Sequence, residues 1–201
     1  MFIPLRLPLV VLFFDEVMVS TDDQEIAQEA RNSGAAVPFL RSEHGANGHA
    51  TTFEVIEEVM NSNTKQDKEF DAACCTYPTG PLTGAKDLMR FFEFYKKSDF
   101  DCVFPVIRYG YPIQRGLRVN ATSQMNMIHP EHLITRSKDL EATYRDAGQF
   151  YWFNVGRLLK VRQLWIDTTG VLEIKETAEQ DMDDLEDWDL AEIKYQISND
   201  Q

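Results

Sequence analysis

The 201-residue sequence has little positive charge and few cysteines, and each shortage excludes a class of protein. Twenty lysine and arginine residues stand against 33 aspartate and glutamate residues, which gives a net charge of −13. A chain this acidic is poorly suited to binding a phosphate backbone, so nucleic acid is not a predicted partner. The three cysteines, two of them adjacent at Cys74 and Cys75, do not make a disulfide framework and predict a reduced, cytoplasmic protein.

The sequence also lacks a long hydrophobic run. Its most apolar stretch, residues 1–14 (MFIPLRLPLVVLFF), is shorter than the ~20 apolar residues that a membrane-spanning helix needs. Asp15 and Glu16 follow this stretch, where a signal peptide would have a small-residue cleavage site. We therefore expect neither a membrane span nor secretion.

Apolar residues are still plentiful enough for one core, at 43% hydrophobic and 11% aromatic content, so we expect a single domain over residues 1–201. Predicted strands are residues 17–20, 36–40, 72–77, 101–107 and 150–153, and predicted helices are residues 23–30, 51–60, 86–97, 154–163 and 183–197. This alternation predicts an α/β fold with a mostly parallel sheet and helices on both faces. The continuous apolar run at residues 72–77 predicts a strand buried on both faces.

Residues 108–145 interrupt this pattern, because helical periodicity is absent and prolines and polar residues are frequent. Six basic residues against three acidic ones give the segment a net charge of +3, which leaves −16 for the rest of the chain. A basic segment on an acidic body is where an anionic ligand would dock. The alternative is a surface loop whose charges pair with acidic neighbours.

The acidic segment QDMDD at residues 180–184 is the strongest local candidate for chemistry. Side chains two residues apart in an extended segment face the same way, so Asp181 and Asp183 could both bind one magnesium ion. Asp184 then falls where a helix cap is needed. The alternative is a solvated acidic start of a helix.

Other motifs give weaker signals. His129 and His132 form an H-x-x-H pair with no evident further ligand, which favours surface histidines over a zinc site. The sequence contains no G-x-G-x-x-G or Walker motif, so a dinucleotide-binding fold or a P-loop has no local support.

Several motifs in order resemble the acylneuraminate cytidylyltransferase family, and in particular its branch that activates pseudaminic acid. These motifs are FDEVMVSTDD (residues 14–23), VPFLRS (37–42), YPTGPL (77–82), DAGQFYW (146–152) and QDMD followed by EDW (180–183 and 186–188). The similarity extends from about residue 14 to residue 197. It implies a Rossmann-like three-layer nucleotidyltransferase sheet, with a β-rich excursion at residues 108–150 that pairs two subunits.

The resemblance implies transfer of CMP from CTP to a nonulosonic acid, most simply pseudaminic acid, with release of pyrophosphate. Asp181 and Asp183 would be the catalytic, Mg²⁺-binding residues of this reaction. Residues carried over to the cytidine part of CTP are Arg41 and Thr51 or Thr52, and those carried over to the sugar are Tyr77, Arg136, Lys138, Arg145, Gln149 and Tyr151. The expected assembly is a cytoplasmic homodimer that binds CTP and the sugar, with no nucleic acid or membrane as partner.

One departure from the family pattern concerns the start of the chain. The family opens with a strand and a loop rich in glycine, arginine and lysine that holds the CTP phosphates, and nothing like it precedes Phe14. Residues 1–13 contain one cation and no glycine, so they do not offer a row of backbone N–H groups to a triphosphate. We therefore expect an N-terminally incomplete domain. The alternative function is a catalytically silent relative that keeps a sugar-binding or dimerisation surface.

Overall fold

The computed structural model describes residues 14–46 and 50–199. Its helices are α1 Gln24–Asn32, α2 Glu43–Ala46, α3 Thr52–Thr64, α4 Ala85–Lys97, α5 Val155–Val161 and α6 Leu185–Asn199. Its strands are β1 Ala72–Thr76, β2 Cys102–Arg108, β3 Leu117–Val119, β4 Met125–Met127, β5 Tyr144–Asp146, β6 Phe150–Asn154 and β7 Thr169–Glu173. Among the described residues no helix is long and apolar enough to cross a membrane. The predictions made for residues 1–13 lie outside this part of the chain.

Local capping signals place the helices close to where the sequence predicts them. The carboxylate of Asp23 accepts hydrogen bonds from two N–H groups in the first turn of α1, and Gly34 follows that helix with φ +88°. Thr51 and Glu54 form a reciprocal capping box at the start of α3. Because these signals depend only on neighbouring residues, the sequence alone located both helices.

The central sheet differs from the predicted mostly parallel arrangement. Strand β2 pairs in parallel with β7, but the other pairings, β1 with β6, β2 with β6 and β2 with β5, are antiparallel. The prediction of a mostly parallel sheet is therefore wrong for the described residues. Its cause is the interruption after β2: the chain returns from residues 108–150 in the opposite direction and inserts β6 between β1 and β2.

Strand β7 pairs with residues of β2 that also pair with β6 (Cys102 and Val103) and with β5 (Val106). Because a strand has only two hydrogen-bonding edges, β5 and β6 both lie along the edge of β2 opposite β7. Residues 147–149 separate the two strands, and Gly148 lies there with φ +61°. The pairing shifts by three residues across this break, from Val106 opposite Asp146 to Val103 opposite Trp152. Residues 147–149 thereby form a bulge in the middle of the sheet. This bulge lies next to Asp181, one of the acidic residues that follow β7.

The core has two halves, one on each face of the sheet, as predicted for helices on both faces. Side chains of β2 alternate between them, so that Phe104 packs with helices α3 and α5 while Val103 packs with helix α4. Fully buried Phe91 of α4 meets Phe150 of β6 edge to face, with ring centroids 5.0 Å apart. Burial of both sheet faces fixes the register of the central strands.

Three predicted strands differ from expectation to different degrees. Strand β1 pairs only with β6 among the described residues, and its side chains are less completely buried than predicted, but Ala73 and Cys75 pack on one half of the core and Cys74 on the other. Residues 17–20 and 36–40 do not form strands; a single parallel bridge joins Met18 to Ala36. Among the described residues β1 has a strand neighbour on one side only, which fits its partial burial.

Residues 108–150 contain no α-helix, in agreement with the absence of helical periodicity. They hold three 3₁₀ turns, the β3–β4 hairpin and strand β5. The hairpin exposes Leu117 and Val119, and the turn that follows it exposes Ile134 to 91%. This excursion therefore presents apolar side chains to solvent instead of packing them against the main sheet.

Gly170 of β7 offers a stability test of the sheet. A Cβ atom at this position would lie 2.2 Å from Cδ2 and 2.7 Å from Cγ of Phe100, so the whole ring would have to move. We expect Gly170→Ala to lower the free energy of unfolding by about 2 kcal/mol, measured by urea denaturation. Gly110→Ala is the matched control, because nothing lies within 4 Å of its Cβ position. Equal unfolding midpoints for the two variants would contradict the close packing of Phe100 on β7.

Candidate active site

The segment after strand β7 carries the paired aspartates and faces an open cavity of about 570 Å³. Asp181 and Asp183 line this cavity together with Arg145 of strand β5. Both aspartates are exposed, so their carboxylates can reach a ligand without displacing other side chains. The structure thus brings three of the predicted site residues to one place. We call residues 179–184 the acidic loop.

Glu179 is the buried member of the acidic loop, with only 2% of its surface exposed. Its Oε2 accepts a hydrogen bond from Nη2 of Arg145 at 2.7 Å, and its Oε1 accepts one from the backbone N–H of Asp181 at 2.9 Å. The hydrogen bond to Glu179 raises the pKa of the Arg145 guanidinium. Arg145 therefore has a partner inside the protein, and its predicted contact with a sugar carboxylate stays a prediction.

Asp187 in the first turn of α6 holds the second half of the acidic loop. One of its oxygens accepts hydrogen bonds from the N–H groups of Asp183 at 3.0 Å and Asp184 at 3.2 Å. Asp184 Oδ1 accepts from the N–H groups of Glu186 and Asp187, which is the helix-capping role predicted for it. These bonds involve the backbone of Asp183 and not its carboxylate.

The two aspartates form a donor set that suits a hard divalent cation. Magnesium prefers oxygen ligands and usually takes one or two carboxylates, with water and substrate phosphates completing its shell. The Asp181 carboxylate accepts one hydrogen bond, from the N–H of Met182 at 3.1 Å. Within residues 14–46 and 50–199, no group of three or more His, Cys, Asp or Glu side chains is placed to hold a metal. Asp181 and Asp183 therefore have no third His, Cys, Asp or Glu ligand among the described residues.

A second group of predicted residues meets at the break between β5 and β6. The hydroxyl groups of Thr52 and Tyr77 lie 2.5 Å apart, and the rings of Tyr77 and Tyr151 have centroids 5.4 Å apart. The Tyr151 hydroxyl donates a hydrogen bond to one carboxylate oxygen of Asp146, and the N–H of Gly148 donates to the other at 3.0 Å. The structure thus links the residue predicted for cytidine, Thr52, with two predicted for the sugar.

Asp146 is a residue of this group that sequence reasoning missed, although it opens the DAGQFYW motif. Burial raises the pKa of Tyr151, and the hydrogen bond to Asp146 raises it further. The phenol therefore stays protonated at neutral pH and donates to the carboxylate. A Cβ atom on Gly148 would lie 3.9 Å from Oδ2 of Asp181, so the motif and the acidic loop meet at this glycine.

Three other predicted residues have structural partners. Gln149 is buried, and its Nε2 donates to the carbonyl oxygen of Ala178 at 2.7 Å, which ties β6 to the start of the acidic loop. Thr51 is the N-cap of α3. The Arg41 guanidinium donates to the carbonyl oxygen of Ser20, while its Nε is buried with no hydrogen-bond partner among the described residues.

Arg136 and Lys138, the other basic residues of the excursion that were predicted to bind the sugar, do not line this cavity. Arg136 is exposed and pairs with Asp139, with Nε and Oδ2 2.6 Å apart. Lys138 lines a second cavity, of about 360 Å³, together with Arg108. The structure therefore does not bring Arg136 or Lys138 to the cavity that Asp181 and Asp183 line.

Replacement of Tyr151 tests the group at the break. We expect Tyr151→Phe to lower the free energy of unfolding by about 1–2 kcal/mol, because Asp146 loses the donor of a hydrogen bond to a charged group. Urea denaturation measures this change. Tyr144→Phe is a control on the adjoining strand β5, where the side chain is exposed. A loss of equal size in both variants would show that the Tyr151 hydroxyl contributes nothing specific.

Comparison with known proteins identifies the family of this chain. The sequence profile described as cytidylyltransferase matches residues 3–163. The chain belongs to the cytidylyltransferase family. The resemblance drawn from the motifs is confirmed, and with it the expectation of a nucleotidyltransferase enzyme. The profile match ends before the acidic loop, so the roles of Asp181 and Asp183 stay predictions.

Two relatives and one solved structure show how far the similarity extends. A pseudaminic acid cytidylyltransferase from Campylobacter jejuni is 30% identical over 186 residues, covering 92% of this chain and 80% of the relative. A CMP-N,N'-diacetyllegionaminic acid synthase from Legionella pneumophila is 24% identical, covering 92% of this chain and 79% of the relative. An alignment that covers 92% of the chain necessarily includes the acidic loop.

The solved structure of a CMP:2-keto-3-deoxy-manno-octonic acid synthetase complexed with CTP shares the fold. It superposes with a TM-score of 0.58 at 14% identity and covers 92% of this chain and 82% of that one. An α/β fold is thereby confirmed for this cytidylyltransferase. The comparisons lend no support to the alternative of a catalytically silent relative.

Proposed function

We propose that this cytidylyltransferase transfers CMP from CTP to a nonulosonic acid, with pseudaminic acid as its preferred sugar. The observation that carries the proposal is the pair of exposed carboxylates, Asp181 and Asp183, on an open cavity of a chain from this family. The names of the Campylobacter jejuni and Legionella pneumophila relatives support a nonulosonic acid as the acceptor.

In this reaction the anomeric oxygen of the sugar forms a bond to the α-phosphorus of CTP. The bond between the α-phosphorus and the oxygen bridging to the β-phosphate breaks, pyrophosphate leaves, and the proton of the attacking hydroxyl passes to solvent. Mg²⁺, when bound, would neutralise the charge on the phosphate oxygens. Asp181 and Asp183 hold the cation, and the rest of the protein positions the two substrates.

The remaining predicted residues divide between the two substrates. On the nucleotide side, the buried Nε of Arg41 is an unused donor among the described residues, and Thr51 and Thr52 lie at the start of α3. On the sugar side, Tyr77 and Tyr151 lie beside the break in the sheet, where Gln149 fixes the backbone next to Gly148. Tyr77 is only partly buried, and its hydroxyl can hydrogen-bond to the sugar, whereas Tyr151 is buried and its hydroxyl donates to Asp146.

We further propose that two copies pair through the excursion at residues 108–150 and that Arg136 and Lys138 act in the partner's site. Exposed Leu117, Val119 and Ile134 supply apolar surface for such pairing. A guanidinium can bind a sugar carboxylate through two hydrogen bonds, which suits Arg136 to the role of a carboxylate clamp. The free thiols of all three cysteines favour a reducing, cytoplasmic setting.

Release of pyrophosphate from CTP tests the proposal. The assay compares pseudaminic acid, N,N'-diacetyllegionaminic acid and N-acetylneuraminic acid as acceptors, each with Mg²⁺ and with a chelator. We expect the largest kcat/KM with pseudaminic acid, and no release when the cation is removed. Absence of release with every acceptor in the presence of Mg²⁺ would reject the function.

A further inference from the structure

The buried carboxylate of Glu179 has no part in the mechanism so far, yet it contacts the backbone of a proposed metal ligand. Its two oxygens have different partners: Oε2 accepts from Arg145 and Oε1 accepts from the N–H of Asp181. The side chain of Glu179 is 3% exposed while that of Arg145 is 36% exposed, so the carboxylate of the pair is buried and the arginine side chain reaches solvent. Burial of a carboxylate is costly unless its oxygens accept hydrogen bonds, and both oxygens of Glu179 do so.

The backbone on either side of Glu179 is also fixed from separate elements. Lys194 of α6 donates from Nζ to the carbonyl oxygen of Glu179 at 2.6 Å and to Oε1 of Gln180 at 2.9 Å. Gln149, in the break between β5 and β6, donates to the carbonyl oxygen of Ala178. Together with Arg145 on β5, side chains from three parts of the chain therefore contact the residues that immediately precede Asp181.

We propose that Glu179 is a positioning residue for the cation site, acting through its hydrogen bond to the N–H of Asp181. This inference rests on the proposed function, in which Asp181 and Asp183 hold the divalent cation. An exposed loop would lose conformational freedom when its carboxylates bind a cation, and that loss weakens binding. Glu179 fixes the backbone of Asp181 before the cation binds. The loop therefore loses less conformational entropy on cation binding, because folding has already restricted it.

A pair of double variants separates positioning from simple stability. Arg145→Met with Glu179→Met removes the ion pair without leaving a buried charge, and it also removes the acceptor for the Asp181 N–H. Arg145→Met with Glu179→Gln removes the same ion pair but keeps an amide oxygen at the acceptor position. Because Arg145 is absent from both, its positive charge does not affect the comparison.

The probe is Mn²⁺ alone, titrated into each protein without CTP or sugar and followed by electron paramagnetic resonance. Mn²⁺ takes the same oxygen ligands as Mg²⁺. We expect the Glu179→Gln double variant to bind Mn²⁺ within about threefold of the unaltered protein, and the Glu179→Met double variant to bind about tenfold more weakly. Thermal unfolding of both variants shows that each is folded.

Equal Mn²⁺ affinity in the two double variants would overturn the positioning role. The Asp183→Ala variant, titrated alongside, tells this failure from a failure of the proposed function. Loss of Mn²⁺ binding by Asp183→Ala combined with equal binding by the double variants would reject the role of Glu179 alone. Unchanged Mn²⁺ binding by Asp183→Ala would reject the cation site itself, and the positioning role with it.

Discussion

Asp183→Ala is expected to reduce Mg²⁺-dependent release of pyrophosphate by about 10²–10³-fold, because it removes one of the two protein ligands proposed for the cation. The carboxylate of Asp183 is exposed on the cavity, and its backbone N–H, which bonds to Asp187, is retained in alanine. The substitution should therefore leave the fold intact while it removes catalysis. Initial rates measured over a range of Mg²⁺ concentrations check this expectation.

Asp189→Ala is the matched control for that experiment. Asp189 is an exposed carboxylate of helix α6, which follows the acidic loop, and it does not line the cavity, so its loss changes the net charge equally without altering the cavity lining. We expect its rate to stay within about twofold of the unaltered protein, as for ordinary surface substitutions. Undiminished turnover of Asp183→Ala, or an equal loss in both variants, would contradict a cation held by the aspartate pair.

The second large effect is expected at Arg136. Loss of a bidentate hydrogen bond between a guanidinium and a carboxylate costs about 2–3 kcal/mol, so Arg136→Ala should raise the KM of the sugar about 30–100-fold. The KM of CTP should change by less than about twofold, since CTP does not contact the clamp. Steady-state kinetics with each substrate varied in turn measure the two values. Equal increases in both would contradict a carboxylate clamp.

Mixing two impaired variants, assayed at a sugar concentration well below the raised KM of Arg136→Ala, tests whether Arg136 acts in the partner's site. In a mixed dimer of Asp183→Ala and Arg136→Ala subunits, one site would carry both defects and the other neither, provided that Arg136 crosses the interface. Random pairing would then restore about a quarter of the original sites. If Arg136 served its own subunit, every site would keep one defect and mixing would restore nothing.

The sequence predicted helices better than strand order, for reasons visible in particular residues. Helices α1 and α3 carry their own caps at Asp23 and Thr51, and helix α4 shows its apolar side at Leu88 and Phe91. The direction of β6 is not a local property, because it depends on the path of the chain through residues 108–150. Strand patterns identified β6 correctly but could not give its antiparallel pairing.

The candidate site was predictable to a similar degree. The D-x-D spacing of Asp181 and Asp183 and the motif around Tyr151 pointed to the residues that the structure places near Gly148. Glu179 and Asp146 were missed, since an acidic side chain ordinarily reads as solvent-exposed in a sequence. Their contacts with Arg145 and with Tyr151 join different elements of the fold, which the local pattern does not show.

The position of β6 between β1 and β2 has a consequence for how the chain reaches its native state. Strand β1 is synthesised about 75 residues before the strand that pairs with it, and β2 also waits for residue 150 and beyond. Sheet assembly therefore cannot be completed on the ribosome until the excursion has left the exit tunnel, because loop closure over such a distance must precede pairing. During that interval the apolar faces of both early strands are uncovered, which leaves the nascent chain prone to aggregation.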